Sequence, residues 1–141
     1  MIENNKTTAR QIMQALSKRD LDGVRAYAAP EARFYGWAPE PLDADGHKNF
    51  MSALLAAFPD SQIIVDDVIA EGDKVAVRHR LLGRHQAELQ GIPPTGKTVE
   101  VGGIVIFRLM DGKIVEAWLN ADILGMLQQL GVVPDQQAAS R

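Results

Sequence analysis

The sequence predicts an α+β domain in which helices pack on one side of a strongly curved antiparallel sheet and enclose an apolar pocket. Helical periodicity is confined to the N-terminal part and to one segment near the C-terminus, strand periodicity fills the stretch between them, and glycine-containing turns join the strands. Helices segregated from a run of antiparallel strands are typical of α+β domains. The 141 residues suit one domain, with its core at about residues 5–131 and a polar, frayed tail at 134–141.

The N-terminal part predicts three helices with a strand before the third. The first helix starts near Asn5 and carries apolar residues at helical spacing. Asp20 is a candidate N-cap for a short second helix, which we expect Pro30 to stop. Residues 32–37 form an aromatic-rich strand pattern, followed by a loop rich in proline and aspartate. The third helix then ends at Pro59.

The central part changes to strand periodicity. Residues 63–69 and 75–81 predict two strands joined by a turn at 71–74. Residues 98–110 predict a long strand that the pair Gly102-Gly103 interrupts. Glycines inside a strand pattern often mark a bulge, so we expect one there.

The C-terminal part predicts a hairpin and a closing helix. Asp111-Gly112 is a strong two-residue turn signal, and it joins the long strand to a strand at 114–120. The closing helix runs from Asp122 to Leu130, with Gly131 in the position that favours a left-handed backbone.

Composition excludes several classes of function. The 15 lysines and arginines against 18 aspartates and glutamates give a net charge of −3 without a basic block, which disfavours nucleic acids and anionic membranes as partners. The absence of cysteine excludes disulfides, thiolate metal sites and cysteine nucleophiles. The N-terminus has no apolar signal segment, and no apolar run has the length of a membrane span. We therefore expect a cytoplasmic protein.

Residues 91–98 match the P-loop pattern G-x-x-x-x-G-K-[ST]. A P-loop needs a helix after it and backbone N–H groups around the phosphates. Here a strand pattern follows, and Pro93 and Pro94 have no N–H to donate. We therefore interpret this segment as a turn between strands.

Asp122 is the first candidate for chemistry. The last strand alternates so that one face carries Ile114, Glu116, Trp118, Asn120 and Asp122. A carboxylate against an indole would be partly withdrawn from water, which suits a proton donor or acceptor. The same position also suits the N-cap of the closing helix, and the residues alone leave both roles open.

The histidines offer two further candidates. His79 and His85 fall on the same face of one predicted strand, where each is either a hydrogen-bonded wall residue or an acid/base group. No third ligand has a recognisable spacing, so we predict no metal site. His47 opens the third helix, where we expect a solvated side chain.

Tyr35 and Trp37 alternate onto one face of the first strand. They either line a pocket or belong to the core.

Several segments along the chain resemble SnoaL-like polyketide cyclases. They are Phe58-Pro59-Asp60, residues 68–78, Gly83-Arg84-His85, the turn at 91–97, Phe107-Arg108, residues 111–118 and residues 122–131. The similarity runs from about Leu21 to Gly131, nearly the whole chain, and the combination of segments is specific.

The resemblance implies the cone-shaped α+β fold of the nuclear transport factor 2-like superfamily, as one domain over residues 1–141. It also implies a homodimer or higher oligomer, a small apolar substrate, and neither cofactor nor metal. In the characterised cyclases, an aspartate at the position matching Asp122 is the general acid/base for an intramolecular aldol closure of a polyketide ester.

The leading hypothesis is a cofactor-free acid/base enzyme that acts on a small apolar carbonyl compound. Asp122 would remove a proton α to a carbonyl, and His85 or His79 would polarise the developing enolate. Four residues would bind the substrate, orient the acid or exclude water: Trp118, Asn120, Tyr35 and Trp37. The alternatives are a non-catalytic domain for hydrophobic-ligand binding or dimerisation, or a dehydratase, isomerase or epoxide hydrolase on the same fold.

Overall fold

A computed structural model describes residues 2–134 of the chain. Of the predicted tail, all but Pro134 lies outside these described residues. The elements, in chain order, are α1 (Ile2–Ser17), α2 (Leu21–Ala26), β1 (Ala28–Tyr35), α3 (Ala44–Ala57), β2 (Gln62–Glu71), β3 (Lys74–Arg84), β4 (Thr98–Met110), β5 (Lys113–Ala121) and α4 (Ile123–Leu130). The predicted α+β class is confirmed. No helix between residues 2 and 134 is long and apolar enough to span a membrane.

The five strands form one open sheet in the order β1-β5-β4-β3-β2. Strands β2 to β5 pair antiparallel in sequence, as predicted, whereas β1 pairs parallel with β5. The sheet is therefore mixed, and the prediction of a purely antiparallel sheet is wrong for β1. The periodicity of a strand does not indicate its partner, and β1 meets a strand that lies far away in the sequence.

Pro30 does not stop the second helix. Helix α2 ends at Ala26, and Pro30 lies inside β1. Because β1 is an edge strand of the sheet, it tolerates a residue that has no N–H to donate.

The bulge predicted at Gly102-Gly103 is also wrong. Strand β4 pairs with β3 without interruption from Arg108 to Thr98. A Cβ atom on Gly103 would lie 3.1 Å from the carbonyl oxygen of Asn120 and 3.2 Å from Nε2 of His79. Glycine is present here because the neighbouring groups approach the strand closely, not because the strand bends.

Irregularities in register lie elsewhere in the sheet. One falls between Val65 and Asp67 of β2. A second falls between Ala28 and Arg33 of β1. The third leaves Val115 as an extra residue in β5, because Arg108 pairs with Glu116 while Leu109 pairs with Ile114.

An extra residue in a strand reverses the alternation of its side chains. Before the irregularity Ile114 is completely buried, and after it Ala117 is completely buried. Trp118 therefore points to the opposite face from Ile114. The predicted common face from Ile114 to Asp122 is wrong for this reason.

Three helices begin with the same local motif, an N-cap aspartate followed three residues later by glycine. The carboxylate accepts a hydrogen bond from the glycine N–H at 2.7–2.9 Å in Asp20/Gly23, Asp43/Gly46 and Asp122/Gly125. The N-cap prediction for Asp20 is thus confirmed.

The buried side chains form two clusters. The first joins α1, α2 and β1 to the inner face of the sheet and includes Ile12, Phe34 and Phe107. The second joins the end of α3 to α4 and the segment before β4 and includes Phe58, Leu89 and Leu130.

Candidate functional site

A cavity of about 570 Å³ lies between the inner face of the sheet and helices α1, α3 and α4. Most of its wall is aliphatic or aromatic. The wall side chains with hydrogen-bonding groups are Trp37, His47, His79 and Gln90, and no Asp, Glu, Lys or Arg among the described residues lines it. Asn120 also borders the cavity, but it pairs with Ile104 of the outer face and its side chain points there. A buried charge without a partner costs several kcal/mol, roughly, so this cavity suits an uncharged and mainly apolar ligand.

His79 lies in the cavity wall. It continues the inward face of β3 after the buried residues Val75 and Val77. Its Nδ1 is 3.4 Å from the carbonyl oxygen of Val77. A carbonyl can only accept a hydrogen bond, so this contact places the proton on Nδ1 and leaves the lone pair of a neutral ring on Nε2.

The environment of His79 favours the neutral ring. Burial lowers the pKa of His79 below its ordinary value of 6.5, and this effect outweighs the contact with Val77 and the nearby charge of Asp66, both of which raise it. Nε2 lies beside Gly103. His79 therefore brings a proton acceptor to the inner face of the sheet.

His47 is buried, so the prediction of a solvated side chain is wrong. Only 7% of it is exposed. Its ring stacks on Phe34 at a centroid distance of 4.2 Å and meets Trp37 edge-on at 4.9 Å. Burial lowers the pKa of His47 to about 4. The sequence does contain a signal for this position, because His47 lies at helical spacing before Phe50 and Met51, which also line the cavity.

The side chain of His85 points to the same side of the sheet as that of His79, but His85 lies beyond the end of β3 and outside the cavity wall. It is completely buried against Phe58, at a centroid distance of 5.5 Å. The backbone N–H of Thr95 donates to its Nδ1 at 3.2 Å. The neutral ring therefore carries its proton on Nε2, which is enclosed without a partner among the described residues.

The P-loop-like segment is a turn held by His85. The His85 N–H donates to the carbonyl of Lys97, and the His85 carbonyl accepts from the N–H of Gly96, both at 2.9 Å. Strand β4 follows from Thr98, which confirms that no helix follows this turn. His85 is consequently part of the packing of the second cluster rather than of the cavity.

Asp122 is exposed and forms the N-cap of α4, as one of the two sequence interpretations predicts. Its Oδ1 accepts the Gly125 N–H at 2.9 Å, and its Oδ2 has no hydrogen bond to a described residue. Its neighbours Ala121 and Ile123 both line the cavity, whereas Asp122 does not. The carboxylate thus lies at the rim.

The four predicted substrate-binding residues separate into two pairs. Trp37 and Asn120 line the cavity. Tyr35 and Trp118 stack on each other outside it, with ring centroids 6.0 Å apart and Nζ of Lys74 at 5.8 Å from the indole. Between Tyr35 and Trp37, Gly36 adopts a φ of +98°, which ends the strand alternation and turns Trp37 inward.

Within residues 2–134 no group of three or more His, Asp or Glu side chains converges in a way that could hold a metal ion.

Comparison with known proteins assigns the chain to a family. The sequence model of the SnoaL-like polyketide cyclases matches residues 6–130. No curated protein sequence matches the chain.

Solved structures show the same fold. AclR of Streptomyces galilaeus, described as a proposed hydroxylase, is 30% identical with a TM-score of 0.87, over 95% of this chain and 100% of that one. IdmH of Streptomyces antibioticus, described as a proposed polyketide cyclase, is 34% identical with a TM-score of 0.79, over 90% of this chain and 98% of that one. A SnoaL-like protein of Jannaschia sp. CCS1, also described as a proposed cyclase, is 25% identical with a TM-score of 0.85, over 95% of this chain and 96% of that one. The expected nuclear transport factor 2-like fold is therefore confirmed, and the chain belongs to the SnoaL-like polyketide cyclase family.

Proposed function

We propose that this protein is a cofactor-free acid/base enzyme that performs aldol-type ring closure, or related proton transfer, on an uncharged and mainly apolar carbonyl compound. The observation that carries the proposal is a cavity that no charged side chain of residues 2–134 lines and that contains the imidazole of His79 beside the strand end leading to Asp122. Family membership supports it, since the structural relatives include proteins described as cyclases.

The sheet register brings His79 and Asp122 to the same end of the cavity. His79 pairs with Gly103, and Gly103 pairs with Ala121, the residue before Asp122. Directly paired residues of antiparallel strands point to the same side of the sheet. His79 and Ala121 therefore share the inner face, one residue away from the carboxylate.

In the proposed reaction, Asp122 takes a proton from the carbon α to a carbonyl, and the bonding electrons move to the carbonyl oxygen as an enolate. The enolate carbon then bonds to a second carbonyl carbon of the same molecule, and the resulting alkoxide takes the proton back from Asp122. These steps transfer only protons and need no cofactor. Because only Oδ1 is used in capping, Oδ2 remains available for the transfer.

The other residues of the hypothesis receive revised roles. His79 presents a lone pair at Nε2, so it accepts a hydrogen bond from a substrate hydroxyl rather than polarising the enolate. Trp37 excludes water. Asn120 borders the cavity, but it pairs with Ile104 of the outer face, so its side chain points away from the substrate. His85, Tyr35 and Trp118 lie outside the cavity wall and act through packing.

An exchange experiment tests proton abstraction without knowledge of the natural substrate. The protein should accelerate deuterium incorporation at the α-carbons of 2-tetralone in D₂O, followed by NMR. The Asp122→Asn variant, which keeps a good N-cap residue, should incorporate deuterium about 10²–10⁴-fold more slowly. Asp20→Asn, the matched change at the start of α2, should leave the rate unchanged. Equal rates for wild type and Asp122→Asn would contradict the role of Asp122.

The exposure of Asp122 favours one competing function, a non-catalytic domain that binds an apolar ligand. That function predicts binding of 2-tetralone with no accelerated exchange in the wild type.

We also propose that the protein forms a homodimer through the outer face of the sheet. Ile69, Ile104 and Met110 are 67%, 45% and 52% exposed. Beside them Arg80 bridges Asp66 and Glu100 at 2.8 and 2.9 Å. An apolar patch with a polar surround is typical of an association surface.

A further inference from the structure

His47 is a buried imidazole that the proposed proton transfers do not use. It lines the cavity, yet neither of its ring nitrogens hydrogen-bonds to a described residue. Buried polar side chains are normally hydrogen-bonded, and an unsatisfied one costs about 1–3 kcal/mol. The only fully enclosed and unpartnered side-chain nitrogen or oxygen among residues 2–134 is Nε2 of His85, so the nitrogens of His47 stay accessible. The surroundings of His47 therefore leave room for a partner that comes from a ligand.

The surroundings also fix the form in which His47 meets that ligand. One face of the ring is covered by Phe34, and Trp37 packs edge-on against it. With a pKa of about 4, the imidazole is neutral at pH 7. His47 also lies in the first turn of α3, where the positive end of the helix dipole disfavours a protonated imidazole. A neutral imidazole always carries one N–H donor, whichever tautomer is present.

Few other groups in the wall can donate a hydrogen bond. No lysine or arginine among the described residues lines the cavity, and His79 presents its lone pair. Gln90 is exposed at the rim, and the side chain of Asn120, paired with Ile104, points to the outer face, whereas His47 is buried within the wall. Trp37 is the remaining donor, and the test below includes it.

We propose that His47 donates a hydrogen bond to the carbonyl oxygen of the ligand and so polarises that carbonyl as a neutral imidazole. The proposal rests on the proposed function for its carbonyl ligand, and it supplies the donor that His79 cannot. As negative charge develops on the oxygen in the enolate, this bond becomes stronger, which is the condition for lowering a barrier. A neutral donor also leaves the cavity without a net charge when no ligand is bound.

The test compares two ligands of the same shape, 2-tetralone and tetralin, which differ in one carbonyl oxygen. Dissociation constants are measured by NMR titration of the labelled wild type and of His47→Phe, whose ring can still stack on Phe34. We expect the preference for 2-tetralone over tetralin to fall about fivefold in His47→Phe, the size of one neutral hydrogen bond. Affinity for tetralin should stay within about twofold, because packing is preserved.

Three further variants complete the design. His47→Gln retains a hydrogen-bond donor and should keep part of the preference for 2-tetralone. It replaces His47→Phe in the test if that variant does not fold. Phe50→Leu changes an apolar part of the wall and should keep the full preference. An unchanged preference in His47→Phe, or a loss of preference only in His79→Phe or Trp37→Phe, would overturn the assignment of His47.

The exchange rate of 2-tetralone provides a second readout. We expect His47→Phe to lower it by about 10²-fold, the usual effect of removing one donor to a developing oxyanion. If the wild type binds 2-tetralone without accelerating exchange, the proposed enzyme activity fails while the ligand pair still tests the hydrogen bond. If the wild type binds neither ligand, both proposals fail.

Discussion

The three histidines show how strongly the surroundings determine the chemistry of one side chain. The Nδ1 of His79 faces a carbonyl, so its Nε2 is an acceptor. The Nδ1 of His85 faces an N–H, so its Nε2 carries the proton and is enclosed. Neither nitrogen of His47 hydrogen-bonds to any of residues 2–134, and its ring is held by stacking. The sequence predicted which face of β3 carries His79 and His85, but not that the two lie in different parts of the core.

The burial of His47 makes stability depend on pH. Its unfolded form takes up a proton below a pKa of 6.5, whereas the folded form resists protonation down to about 4. The unfolded state therefore binds more protons in this window, and the free energy of unfolding falls as pH decreases from 6.5 to 4. This group alone accounts for a loss of about 3 kcal/mol at most.

Urea unfolding at several pH values measures this dependence. The His47→Phe variant should lose less stability between pH 6.5 and 4 than the wild type, while Phe50→Leu should shift the curve without changing its slope. Parallel curves for wild type and His47→Phe would contradict a neutral buried His47.

At the scale of elements, most local motifs and the antiparallel pairing of β2 to β5 agree with the prediction, whereas features that depend on distant residues do not. The N-cap of α2 at Asp20, the N-cap of α4 that was one of two roles open for Asp122, and the Asp111-Gly112 turn, with φ values of +53° and +73°, appear as predicted. The bulge and the partner of β1 do not, because they depend on residues distant in sequence. The extra residue Val115 has the largest consequence, since it turns Trp118 away from the cavity.

Gly125 is an element-scale test of the motif that positions Asp122. A Cβ atom at this position would collide with the capping carboxylate. Gly125→Ala, which in most helices stabilises by about 1 kcal/mol, should therefore destabilise by about that amount through loss of the cap. In the Asp122→Ala background the same change should become stabilising, because the carboxylate is absent. Urea unfolding of the wild type, the two single variants and the double variant gives the free energies of unfolding for this double-mutant cycle. If Gly125→Ala changed the free energy of unfolding with the same sign in both backgrounds, the collision would be contradicted.

At the scale of the whole molecule, the outer face of the sheet carries the proposed association. Ile104 pairs with Arg78 and Asn120 near the middle of this face. Ile104→Lys should raise the dissociation constant of the dimer at least about tenfold, because a charge would be buried in the contact. Sedimentation velocity over a range of concentrations measures this, with Val132→Lys as the control at another exposed apolar position. A wild type that stays monomeric at all concentrations would contradict the dimer.

The sequence by itself determined the order of helices and strands, the helix starts at Asp20 and Asp122, the Asp111-Gly112 hairpin and the rejection of the P-loop at 91–98. Each of these depends on residues close together in the chain, where spacing and turn chemistry act directly.

Only the tertiary structure decided which side chains meet. It paired β1 with β5, placed His47 and Trp37 in the cavity wall, and left His85 outside it. The physical reason is that the inner face of a strand is the one against which other elements pack, and this depends on residues far away in the sequence. One extra residue in β5, or one glycine with a positive φ before Trp37, reverses the direction of the side chains that follow. Periodicity read along the chain assumes a regular backbone and does not indicate where it is interrupted.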